Sequence, residues 1–72
     1  MYTNKQILNF IIKEKSGGDT FQELNIQIKL LMRGINVQGI LDEMIPDDDA
    51  LKEKLRAIAE EFEVDLTKMT TG

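Results

Sequence analysis

The chain has 72 residues, with 9 basic and 13 acidic side chains, a formal net charge of −4, and neither cysteine nor histidine. That length allows one domain, whose core gives only ~3–5 kcal/mol of net stability unless something supplements it. Disulfides, ordinary zinc sites and histidine- or cysteine-based nucleophiles are excluded by composition, which leaves oligomerisation or a larger partner as the supplement.

Thr3 is placed to cap a first helix, with Gln6 three residues later completing a capping box. That helix is predicted from Asn4 to about Lys15, where Ile7, Leu8, Phe10, Ile11 and Ile12 cover an arc of ~200°, wider than a simple surface helix shows. Ser16, Gly17 and Gly18 end it, because glycine reaches the left-handed conformation without steric cost.

Asp19 caps the next helix, predicted to run to Arg33 and stop at Gly34. At ~100° per residue, Phe21, Leu24, Ile28, Leu31 and Met32 form one stripe, and Ile26 and Leu30 fall nearly opposite. A helix with apolar residues front and back needs two covering surfaces. This helix is therefore expected at the centre of the structure, with Ile26 and Leu30 the side its own chain is least able to cover.

Asn36 caps a third, shorter helix in which Val37, Ile40, Leu41 and Met44 share a stripe, and Pro46 is expected to close it. After Asp47, Asp48 and Asp49 comes a run of strong helix formers, with Leu51, Leu55, Ile58, Ala59 and Phe62 on one face. Val64, Leu66 and Met69 lie in a tail that either docks as a short turn or stays loose from about residue 64. The expected fold class is all-α: one helical domain over residues 1–72, a small four-helix bundle with a helix-turn-helix-like corner.

That corner is LLMRGINVQGIL. It resembles the helix-turn-helix of response-regulator-type DNA-binding domains over residues 24–45, with Leu30, Leu31, Gly34, Ile35, Asn36 and Ile40 in the matching places. The resemblance implies a following helix that enters the major groove with basic and amide side chains. Here the following helix departs from the pattern. It begins with three aspartates and interleaves Lys52, Lys54 and Arg56 with Glu53, Glu60, Glu61 and Glu63.

The aspartate run could hold a divalent cation, but its spacing lacks the alternating oxygens, glycine bend and distal glutamate of a calcium loop. Capping a helix and complementing its dipole explains the run better. Catalysis is not expected: one serine is present, and no phosphate-binding glycine loop or tuned carboxylate pair appears. No metal or cofactor is expected. Lys13, Lys15, Lys29 and Arg33 read as ordinary solvent-facing charge.

The sequence thus points to a small acidic, non-catalytic protein-binding regulator or inhibitor, of the kind small phage and plasmid genes encode. It would meet a basic protein surface, one that binds nucleic acid included, by placing carboxylates where phosphates would go. The candidate interface residues are Ile26, Leu30, Asp47, Asp48, Asp49, Glu53, Glu60, Glu61 and Glu63. A dimeric helix-turn-helix DNA-binding regulator and a self-associating structural subunit are the alternatives. The expected partners are another protein and a second copy of the chain, with no membrane and no nucleic acid. MYTNKQ lacks the plan of a signal peptide, so a cytoplasmic location is expected.

Overall fold

Thr3 opens the first helix as its sequence requires: its hydroxyl accepts from the Gln6 N–H at 3.2 Å, and the Gln6 side chain accepts from the Thr3 N–H at 2.8 Å. The computed structural model describes residues 2–69, which contain four α-helices and no strand. These are α1 (Asn4–Ser16), α2 (Thr20–Met32), α3 (Val37–Leu41) and α4 (Asp49–Glu61). A 3₁₀ turn (Leu66–Lys68) follows, and the Tyr2 hydroxyl donates to the Met69 carbonyl at 2.9 Å, tying the two ends of the described chain together. Residues 70–72, the last part of the tail, lie outside the described residues. No helix is long and apolar enough to cross a membrane among the described residues.

The central element is α1. It packs against α2, α3, α4 and the 3₁₀ turn, so its wide apolar arc is covered by its own chain. Ile7, Leu8, Ile11 and Ile12 are buried and Phe10 is half-buried. The expectation that α2 would be central is corrected here.

The facing of α2 is also the reverse of the expectation. Ile26 and Leu30 are core, 4% and 0% exposed. The larger stripe points outward. The cause lies at the helix end. The Ile35 N–H reaches back to the Leu30 carbonyl at 3.0 Å and the Gly34 N–H to the Leu31 carbonyl at 3.0 Å, a Schellman closure. This closure folds buried Ile35 back toward Leu30, so the side of α2 carrying Leu30, and Ile26 one turn earlier, must face the core.

The same closure ends α3 sooner than Pro46 would. Glu43 takes the left-handed conformation, φ 58°, and Met44 N–H bonds the Gly39 carbonyl at 2.9 Å. Met44 is thereby carried out of the predicted stripe and is exposed. Gly39 packs closely: a Cβ there would lie 2.8 Å from both the Ile45 Cδ1 and the Asn36 Nδ2 atoms, so those side-chain ends would have to shift.

Candidate functional site

Five large apolar side chains stand on the outer face of α2: Phe21 (74% exposed), Leu24 (57%), Ile28 (49%), Leu31 (56%) and Met32 (81%). Scattered surface apolar residues are normal, but a contiguous set on one helix face of so small a domain is not. The steps between Phe21, Leu24, Ile28 and Leu31 follow the a/d spacing of a helix that packs lengthwise against another helix. Thr20 and Gln27 border this face on one side and Asn25 on the other, and the carboxylates of Asp19 and Glu23 border it at its N-terminal end. At its N-terminal end Phe21 and Leu24 line a shallow depression with Thr20, Gln27 and the acidic Asp19 and Glu23.

The acidic candidates do not make one free surface. Asp47 accepts the Asn4 backbone N–H at 3.1 Å, and Asp48 caps α4 by accepting the Ala50 N–H at 2.9 Å. Glu53 pairs with Arg56 at 2.8 Å, one helical turn along. Glu61 takes the Arg33 guanidinium, whose Nε donates at 2.8 Å, and Arg33 also lies 5.1 Å from the centre of the Phe62 ring. The Arg33 hydrogen bond holds the Glu61 carboxyl below the usual carboxylate range. Asp49, Glu60 and Glu63 make no side-chain hydrogen bond among the described residues. The aspartates sit at the start of α4 and Glu60, Glu61 and Glu63 at its end, ~18 Å apart along a helix of this length. No three acidic side chains converge on a common point among the described residues.

Basic residues are no better gathered. Lys52 is buried, Arg56 is paired with Glu53, and Lys54 reaches toward Gly34. At the α2–α3 corner, Gly34 has φ 84°, Ile35 is buried and the Asn36 side chain caps α3 by accepting the Gly39 N–H at 3.1 Å. The corner is tight, and its residues serve the turn and the core.

No family model, curated protein or solved structure matches the chain.

Proposed function

We propose that this chain is a small, non-catalytic protein-binding regulator that docks through the apolar outer face of α2. The supporting observation is the uncovered stripe of Phe21, Leu24, Ile28, Leu31 and Met32 on a helix whose other side is already committed to the core. Burying such a face against another apolar helix or groove is a common way for one helix to recognise a protein. The net charge of −4 disfavours a polyanionic ligand, and the acids that could have formed a docking face are largely occupied within the chain.

The test is capture from a lysate of the native host, with the full chain as bait, comparing wild type with the Leu24→Glu/Ile28→Glu double variant. Both positions are exposed, so circular dichroism is expected to show the same helix content for both baits. The expected result is that what the wild type retains, its own copies included, is lost on the variant. Equal retention by both baits overturns the proposal. Retention that ignores the α2 substitutions and fails at raised salt would instead indicate docking through the acids.

A further inference from the structure

Resting on that reading of α2, we infer that the partner of its outer face is a second copy of this chain, packed antiparallel, α2 against α2. Three features of the face are self-complementary. The intervals from Phe21 to Leu24, Leu24 to Ile28 and Ile28 to Leu31 are the same read in either direction. A two-fold axis near the middle of the helix therefore sets Phe21 beside the partner's Leu31 and Leu24 beside the partner's Ile28. Each bulky side chain meets an aliphatic one, and residue contacts are reciprocal, as an isologous interface requires.

Charge is the second feature. The positions flanking the middle of the stripe, Asn25 and Gln27, are uncharged, and carboxylates, Asp19 and Glu23, border it only at its N-terminal end. Along α2 the acids, Asp19 and Glu23, lie at the start and the bases, Lys29 and Arg33, at the end. Antiparallel pairing sets the Asp19 and Glu23 end of one helix beside the Lys29 end of the other, Arg33 being already paired with Glu61 in its own chain, and opposes the two helix dipoles. Parallel pairing would set like beside like.

Area is the third. At ~200 Å² for a large side chain, the exposed fractions of the five residues come to roughly 600 Å² per chain. Two such faces, wholly covered, supply at most about 1,200 Å², the lower bound of specific, stable interfaces. Pairing would also supply the second core that a domain of this size lacks.

Sedimentation equilibrium on the purified full chain tests the pairing. The wild type is expected to be a dimer, and Leu24→Glu and Ile28→Glu folded monomers of unchanged helix content. The chain has no cysteine, so orientation can be read from single-cysteine variants. Phe21→Cys mixed with Leu31→Cys should form a disulfide-linked dimer on oxidation, and Phe21→Cys alone should not. A wild type that stays monomeric at high concentration overturns the inference, as does a dimer that survives both glutamate variants. Cross-linking of Phe21→Cys to itself overturns the antiparallel arrangement. A monomeric wild type whose bait still captures a different protein through Leu24 and Ile28 refutes self-pairing and leaves the docking reading standing. A monomer that captures nothing refutes both.

Discussion

At the scale of single residues, three of the four helices end with one device, and only one of the three shows it in the sequence. After α2, α3 and α4, a residue in the left-handed conformation is followed by an N–H that reaches back to a carbonyl in the last turn: Ile35 to Leu30, Met44 to Gly39 and Val64 to Ala59. The left-handed residue is Gly34 after α2, φ 84°, but Glu43 and Glu63 after α3 and α4, φ 58° and φ 60°. Glycine announces such a closure; glutamate does not, and this is why the end of α3 was misplaced to Pro46. The backbone cost is absent at Gly34 and present at the two glutamates. Glu63→Gly is therefore expected to raise stability by ~0.5–1 kcal/mol, the relief of a left-handed side chain less the entropy glycine adds to the unfolded chain. Gly34→Ala is expected to lower it by ~1–2 kcal/mol, since the new Cβ would also come 3.1 Å from the Lys54 Nζ atom. Denaturant midpoints at unchanged slope measure both, and a stabilised Gly34→Ala would refute the account.

At the scale of the helix, periodicity gave the extent of α2 within a residue, and it gave both apolar sides, but not which side turns inward. A helix apolar on both sides leaves its facing open to periodicity, which counts residues on each side and says nothing of the backbone at its end. What decides the facing is the closure at Gly34 and Ile35, a backbone feature that ties Leu30 to the turn. The signal was present: Ile26, Leu30 and Ile35 are the apolar residues that a Schellman turn at Gly34 would gather. The facing has a direct energetic consequence. Leu30→Ala is expected to cost ~2–5 kcal/mol, because a side chain with no exposure leaves a cavity. Leu24→Ala, measured at a concentration too low for association, should fall within ~0.5 kcal/mol of the wild type, as exposed substitutions do. If the two costs are exchanged, the outer stripe is core, and both the docking face and the pairing of α2 fall with it.

At the scale of the whole molecule, the all-α class was legible because helix formers, caps and glycine stops agree along most of the chain. The distribution of charge was not. Sequence places seven acids near one another, but helix length separates them and nearby donors occupy four of them. Two carboxylates are held below their usual range by such donors. Glu61 is lowered first by its hydrogen bond with Arg33, and Asp65 first by the Thr67 hydroxyl, which donates at 2.6 Å, and then by the Thr67 N–H at 2.9 Å. Arg33 bridges the end of α2 to Glu61 and Phe62, and Asp65 starts the turn that follows Val64.

A carboxyl with a lowered value in the fold binds fewer protons folded than unfolded across the interval between its two values. Stability therefore rises with pH through that interval. What Glu61 and Asp65 contribute is fully present above the ordinary carboxylate range and is lost as pH falls through their lowered folded values. Both groups are open to solvent, so the effect is expected to be small, and its sign is the informative part. Thermal melts from neutral pH to pH ~3, at fixed low concentration, should show the wild type losing stability on the acid side. Glu61→Gln and Asp65→Asn should each begin slightly less stable at neutral pH and lose less on acidification. Over the same range the net charge of −4 is titrated away, since the isoelectric point is about 4.6. Repulsion between copies falls with it, so pairing through α2 should tighten near that pH while the fold itself begins to weaken below it. An acid limb of the same steepness in wild type and both variants would mean that these contacts do not bias the fold. The end of α2 would then be held by the Gly34–Ile35 closure and apolar packing alone.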